Sequence, residues 1–264
     1  MEDFSPLYLM HHIPKTGGVS MRNWLAQRLG MHRGFVHYGV AGDLWCMENK
    51  LPFLEKMPAK QLDGIRVVMG HYTTKATAAL FPNREIRRQI TLRAPAKRFI
   101  SQYNHAMDFW CNGLGRPQID FYQWFEEQAI EKYDYKDAMR QQGLTPEIAF
   151  QSQASLGPNY MCRFISNGFE KREWPTMESN ELASKVNELL ETFWLVGLTE
   201  RLGLVSDALG QELGIPTHID HLNRGDQRKV YLEPNDDLVA FIKENNQADF
   251  LIYDYWKAKT DAVS

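Results

Sequence analysis

The chain has 264 residues, of which 44% are hydrophobic and 24% charged, and its formal net charge at pH 7 is −3. This composition is typical of a globular protein and excludes a disordered or collagen-like chain. The slight acidic excess argues against nucleic acid as a partner, because a nucleic-acid surface needs positive charge. The three cysteines, Cys46, Cys111 and Cys162, are too far apart for a metal-ligand pair or a disulfide framework, which favours a reducing compartment.

Short apolar runs alternate with helical periodicity, as in an α/β fold built on a parallel sheet flanked by helices. Buried strands are predicted at 7–13, 65–69, 87–93 and 193–198. Helical spacing of apolar residues predicts helices at 21–29, 99–110, 182–190, 202–213 and 238–242. Since no linker divides these elements, we predict one domain over 1–264, in which 111–180 is a helical insertion that shapes a cleft.

The most informative stretch is HIPKTGGVS at 12–20, where a strand leads through a glycine turn into a helix. Such a turn directs backbone N–H groups and the positive end of the helix toward an anion, usually a phosphate. Lys15 adds a positive charge. The stretch is not a Walker motif, because Lys15 precedes Gly17 and Gly18 instead of following the last glycine. A tight turn without a ligand is the alternative.

A second pair of residues indicates the same chemistry. Arg93 ends a predicted strand, and Ser101 lies eight residues later on the following helix, off its apolar stripe together with Asn104 and His105. The two side chains can converge on one phosphate at the mouth of the sheet. The alternative is two exposed surface side chains.

These segments resemble the PAPS-dependent sulfotransferases, in particular the group of heparan sulfate 2-O- and 6-O-sulfotransferases and their bacterial relatives. The matching segments are HIPKTGGVS at 12–20, TLRAPAKRFISQYNH at 91–105, VGLTERL at 196–202 and the tail from HLNRG at 221–225. Residues 111–180 match little, and there the resemblance implies an insertion that shapes the acceptor site.

The resemblance implies a P-loop-like sheet and a set of donor-binding residues. The 5′-phosphosulfate of PAPS is then bound by Pro14, Lys15, Thr16, Gly17, Gly18, Val19 and Ser20. Arg93 and Ser101 bind its 3′-phosphate, and a loop with Asn223 and Arg224 closes over the nucleotide; a solvated loop is the alternative. The chain departs from the family at Val19, where a threonine is usual, and at Ala94, where an aspartate is usual.

Sulfuryl transfer places less negative charge on the moving group than phosphoryl transfer does. Lys15 and backbone N–H groups can therefore stabilise the leaving phosphate, and we expect no metal. The acceptor hydroxyl needs a base, for which His71 is the candidate, since it follows a predicted strand and an imidazole has an ordinary pKa near 6.5. Its position also resembles that of the catalytic histidine of the 2-O-sulfotransferases. A capping or core histidine is the alternative, and His37 and His105 are the next candidates.

We therefore predict an enzyme that moves a sulfuryl group from PAPS to a hydroxyl, expected on a saccharide, and releases PAP. The alternatives are a P-loop-type small-molecule kinase and an inactive nucleotide- or glycan-binding module. His218 and His221 lack the second ligand cluster of a metal site. No apolar run approaches the ~18 residues of a membrane helix, so we expect no membrane segment. A bacterial cytoplasmic protein is expected; a Golgi-lumen catalytic domain without its anchor is the alternative.

Overall fold

The computed structural model describes residues 5–31, 33–38, 54, 57–71, 73–108, 111, 115, 117–129, 158–169, 171, 173–220 and 232–263. The chain divides into two compact units. The sheet unit comprises Met1–Leu92, Gly168–Lys171 and Asn187–Leu222. The helical unit comprises Arg93–Asn167, Arg172–Val186 and Asn223–Ser264.

Five parallel strands form the sheet. In chain order they are β1 (Leu7–His11), β2 (Phe35–Tyr38), β3 (Val67–Gly70), β4 (Ile86–Leu92) and β5 (Leu195–Leu198). The spatial order is β2-β3-β1-β4-β5, so the central strand β1 pairs with β3 on one side and β4 on the other. The strand order reverses at β1, and in open parallel sheets ligands bind at the carboxyl ends of the strands at such a point.

Ten helices accompany the sheet among the described residues. The helices α1 to α10 are Gly18–Leu29, Ala59–Gly64, Lys75–Ala78, Pro95–Asp108, Phe121–Ala129, Tyr160–Gly168, Ser179–Leu190, Leu202–Leu213, Asp236–Glu244 and Gln247–Val263. Short 3₁₀ turns occur at Trp174–Thr176 and Thr199–Arg201. No helix in these described parts of the chain is long and apolar enough to cross a membrane.

Alternate side chains of each strand point to opposite faces of the sheet. Because the central strands carry apolar residues at consecutive positions, both faces are apolar. On one face, Tyr8 and Met10 of β1 belong to a buried cluster with Trp24 of α1 and Leu209 of α8. On the other face, Leu7 and Leu9 pack with residues of the segments before β3 and β4. Two-sided burial of this kind is what strands of a parallel sheet require.

The core of the helical unit is aromatic. Phe121 of α5 lies within 6.0 Å of the ring centroids of Tyr103, Trp124 and Phe125. The buried carboxylate of Asp249 accepts the backbone N–H groups of Met161 and Cys162 at 2.9 Å each, which satisfies donors at the start of α6. Burial is the main cause that raises the pKa of Asp249.

The predicted α/β class is confirmed, with one parallel sheet and helices on both of its faces. The four predicted strands are present, although β1 ends at His11 instead of residue 13 and β3 begins at Val67 instead of residue 65. Strand β2 and the helices α2, α3 and α10 were not predicted. The P-loop-like identity of the sheet and a single domain over 1–264 remain predictions.

Candidate functional site

The loop between β1 and α1 has an unusual backbone conformation. Lys15 has φ 71° and Gly17 has φ 84°, both in the left-handed region. A left-handed conformation costs a residue other than glycine about 1–2 kcal/mol, so the surrounding structure must hold Lys15 there. Helix α1 begins directly after Gly17 and has no acidic residue in its first turn. The loop therefore presents a lysine and a positive helix end that no neighbouring carboxylate in that turn offsets.

The side chain of Thr16 forms a hydrogen bond within this loop. Its side chain is 2% exposed, and Oγ1 donates a hydrogen bond of 2.8 Å to the carbonyl oxygen of Ile13. The hydroxyl proton of Thr16 is thus used inside the turn, and its predicted role in binding is confined to the backbone or the oxygen lone pairs.

The remaining predicted loop residues differ in exposure. Pro14, Lys15 and Gly17 are half-buried, and Ser20 is buried within the first turn of α1. Val19 is 37% exposed. The position at which the resemblance expects a threonine thus presents methyl groups to solvent.

Gly18 is required by a contact rather than by its own backbone. Its φ is not positive, so an alanine would fit the helix. However, a Cβ added to Gly18 would lie 1.7 Å from Cε1 and 1.8 Å from Nε2 of His12. The imidazole of His12 therefore rests directly on the first residue of α1.

The candidate base His71 lies beside the same loop. Its Nδ1 is 2.6 Å from the carbonyl oxygen of His12. A carbonyl oxygen only accepts, so Nδ1 carries the proton and Nε2 of the neutral ring carries the lone pair. The rings of His12 and His71 are stacked, with centroids 4.2 Å apart and planes at 24°. The structure thus brings the predicted base together with the β1–α1 loop.

The segment that carries His71 is fastened to β1. The backbone N–H of His12 donates to the carbonyl oxygen of Gly70 at 3.0 Å. Thr73 Oγ1 lies 3.0 Å from the carbonyl oxygen of Met10, and Nδ1 of His11 donates to the carbonyl oxygen of Thr73 at 2.7 Å. Residues on both sides of His71 are therefore fixed to the end of β1.

The two histidines at the end of β1 are held neutral. Burial lowers the pKa of His11 to about 4, and the charge of Arg88 lowers it further. Burial also holds the pKa of His12 well below its ordinary value, and the neighbouring basic side chains of His71, His37, Arg22 and Lys15 add to this effect.

A third histidine, His37, lies close to the stacked pair of His12 and His71. It lies on β2, is buried, and has its ring centroid 6.5 Å from that of His12. The rings of His37, His71 and His12 therefore stand at the carboxyl ends of the adjacent strands β2, β3 and β1. Among the described residues, no group of three or more His, Cys, Asp or Glu side chains could hold a metal ion.

The other predicted site residues belong to the helical unit or lie outside the described residues. Arg93 follows the last residue of β4 and Ser101 lies on α4; both are half-buried and belong to the helical unit, as does the exposed His105. The convergence of Arg93 and Ser101 with the β1–α1 loop remains a prediction. Asn223 and Arg224 lie outside the described residues, as does the stretch 130–157 of the predicted insertion at 111–180.

Sequence reasoning missed His12 as a site residue. The signal that could have found it is Gly18, a glycine in the first turn of a helix, where a better helix former is usual. Comparisons of the chain with protein-family models and with curated proteins returned no match.

Proposed function

We propose that this protein is a sulfotransferase that moves a sulfuryl group from PAPS to an acceptor hydroxyl, which we expect on a carbohydrate. The observation that supports this best is the juxtaposition, in one unit, of the β1–α1 loop with His71, whose Nδ1 is fixed to the His12 carbonyl oxygen at 2.6 Å. An anion-binding loop beside an oriented base is the arrangement that group transfer to a hydroxyl requires.

The loop fits the phosphosulfate end of the donor. Lys15 and the backbone N–H groups at the start of α1 supply positive charge and donors where negative charge grows on the leaving phosphate. Gly18 keeps the helix start free of a side chain. The 3′-phosphate of the donor is assigned to Arg93 and Ser101 on the resemblance of their spacing.

The proposed reaction is an in-line displacement at sulfur. The acceptor oxygen forms a bond to sulfur while the bond from sulfur to the 5′-phosphate oxygen breaks, and that oxygen leaves with the electron pair as part of PAP. Nε2 of His71 takes the acceptor proton, because Nδ1 already donates to the backbone. Lys15 stabilises the leaving phosphate, and no other reactant is needed.

His71 suits the role of base better than its neighbour His12. Burial and the surrounding positive charges hold the pKa of His12 well below its ordinary value, and its ring is covered by Gly18 and His71. A group whose pKa is depressed in this way is a weak proton acceptor near neutral pH.

A kinase is less well supported. A P-loop kinase holds its magnesium ion with a Ser or Thr hydroxyl next to the loop lysine. Here Lys15 precedes Gly17 and Gly18 instead of following the last glycine, and the side chain of Thr16 next to it is buried in the turn.

The test is a transfer screen with ³⁵S-labelled PAPS against polysaccharides, lipids and phenols, with and without EDTA. We expect labelling of at least one polysaccharide, loss of that labelling in Lys15→Ala, and persistence of the activity in EDTA. Calorimetry with PAP and with Mg-ATP runs in parallel. Binding of Mg-ATP without binding of PAP would support the kinase, and PAP binding without transfer to any acceptor would support an inactive module; either would overturn the proposal.

A further inference from the structure

The ring of His12 lies between the start of α1 and the ring of His71. On one side its ring meets the backbone of Gly18, where an added Cβ would lie 1.7 Å from the imidazole. On the other side the ring stacks on His71 with a centroid separation of 4.2 Å. The side chain of His12 is thus the spacer between the start of α1 and the ring of His71.

His12 holds His71 through two separate groups. Its backbone carbonyl oxygen accepts the hydrogen bond from Nδ1 of His71, which determines the nitrogen that carries the proton. Its side chain covers one face of the His71 ring, which restricts rotation about the bond between Cβ and the ring. A substitution that removes the ring of His12 keeps its carbonyl oxygen but lets the His71 ring rotate, so that Nδ1 no longer stays directed at that oxygen.

The charge state of His12 matches this role. The groups that face it are basic: His71 after β3, His37 on β2, Lys15 in the loop and Arg22 on α1. Together with burial they keep the His12 ring neutral. A neutral ring beside His71 permits a proton to arrive at His71, whereas a second imidazolium would repel it.

We propose that His12 is a positioning residue that couples the β1–α1 loop to His71, and that Gly18 is glycine so that the His12 ring can occupy this place. The kinetic consequences rest on the proposed function, whereas the structural coupling does not.

The coupling is measured on the imidazoles themselves. Long-range ¹H–¹⁵N NMR of histidine-labelled protein separates the two neutral tautomers, and His71→Gln identifies the signals of His71 among the eight histidines. In the wild type we expect one neutral tautomer of His71, protonated at Nδ1. In His12→Ala we expect a mixture of tautomers. In His12→Phe, which keeps an aromatic face, we expect the single tautomer to persist.

Gly18→Ala gives an independent route to the same result. The added methyl group displaces the His12 ring, so the His71 tautomer should become mixed although position 12 is unchanged. In the Gly18→Ala/His12→Ala double variant the methyl group meets no ring, so its spectrum should match that of His12→Ala alone. Gly203→Ala on α8 is the matched control, because a Cβ there meets nothing within 4 Å.

Kinetics supply a second readout. For His12→Ala and Gly18→Ala we expect kcat to fall about 10- to 100-fold, the size of effect that misplacement of a reacting group produces, with the affinity for PAP changed less than threefold in His12→Ala. His12→Phe should retain most of kcat. An unchanged His71 tautomer in both His12→Ala and Gly18→Ala would overturn the proposal. A wild type that transfers no sulfuryl group would instead overturn the proposed function, and the NMR result would still decide the coupling.

Discussion

His11 and Thr73 are joined by a hydrogen bond of 2.7 Å from Nδ1 of the buried imidazole to the backbone carbonyl oxygen. The His11 ring also packs against Phe169 and Phe193, with centroids 5.1 and 5.5 Å away. The donor group of His11 thus holds the segment after His71 in place, while its ring belongs to an aromatic core. Burial of the ring, together with the charge of Arg88, favours the neutral form of His11.

The neutral state of His11 makes stability depend on pH. Its pKa is about 4 in the folded protein against 6.5 as the ordinary value, so between these pH values the unfolded chain binds more protons. The contribution of the neutral His11 ring to the free energy of unfolding is complete above pH 6.5 and is lost as the pH falls toward 4. By linkage, the free energy of unfolding should fall by about 3 kcal/mol from this group between pH 7.5 and 4.

The measurement is urea unfolding of the wild type and His11→Gln at several pH values. The glutamine amide can donate to Thr73 but does not titrate in this range. The free energy of unfolding should therefore fall less steeply in His11→Gln as the pH is lowered. Parallel curves for the two proteins would contradict the account of His11.

Lys15 has a left-handed backbone conformation, so two substitutions at this position should differ in stability but not in donor binding. Glycine adopts this conformation readily, whereas alanine does not. Lys15→Gly should therefore be more stable than Lys15→Ala by about 1 kcal/mol, because the backbone strain is relieved. Both variants should lose PAP affinity and turnover to the same extent, since both lack the ammonium group.

Thermal unfolding and PAP calorimetry on the two variants provide the check. Equal stability of Lys15→Gly and Lys15→Ala would show that position 15 carries no strain. Retention of PAP affinity in both would remove Lys15 from the donor site.

Substitution of Val19 by threonine should strengthen the binding of PAP. The side chain of Val19 is 37% exposed in the first turn of α1. Threonine has the same shape but carries a hydroxyl where valine has one of its methyl groups. Val19→Thr should tighten PAP binding about fivefold, because one further hydrogen bond to the 5′-phosphate is worth about 1 kcal/mol. Val19→Ser is the control for the hydroxyl without the methyl group, and calorimetry that shows no gain for either variant would place the phosphate away from this turn.

Arg93 tests the 3′-phosphate assignment. Arg93→Ala should weaken the binding of PAP by about 10- to 100-fold and leave the binding of AMP nearly unchanged, since a charged hydrogen bond to phosphate contributes about 1.5–3 kcal/mol. Arg93→Lys should weaken PAP binding less. Equal losses for PAP and AMP in calorimetry would assign Arg93 a structural role.

Local sequence signals predicted most of the fold. Apolar runs and helical spacing located β1, β4, α1, α4 and α8, because each of these elements buries a continuous stripe of its own residues. The four-residue strand β2 was missed because FVHY is short and contains His37, whose burial on the sheet comes from neighbours distant in sequence.

The site was predictable in part for the same reason. The glycine turn and the position of His71 are local signals, and the structure places the two side by side. The stacking of His12 on His71 joins residues 59 positions apart, which no local pattern shows, and Gly18 is the one local signal of the His12 ring. Likewise Asn104, expected off the apolar stripe of α4, is buried because its amide pairs with the backbone of Leu232 in both directions.

The most direct measurement of the central claim compares PAP binding and sulfuryl transfer in the wild type and His71→Ala. If His71 takes the acceptor proton while the β1–α1 loop binds the donor, His71→Ala should bind PAP with near-normal affinity. Its kcat should fall by roughly two to four orders of magnitude, the range for loss of a general base. Turnover of His71→Ala close to that of the wild type, or loss of PAP binding in step with turnover, would contradict the account.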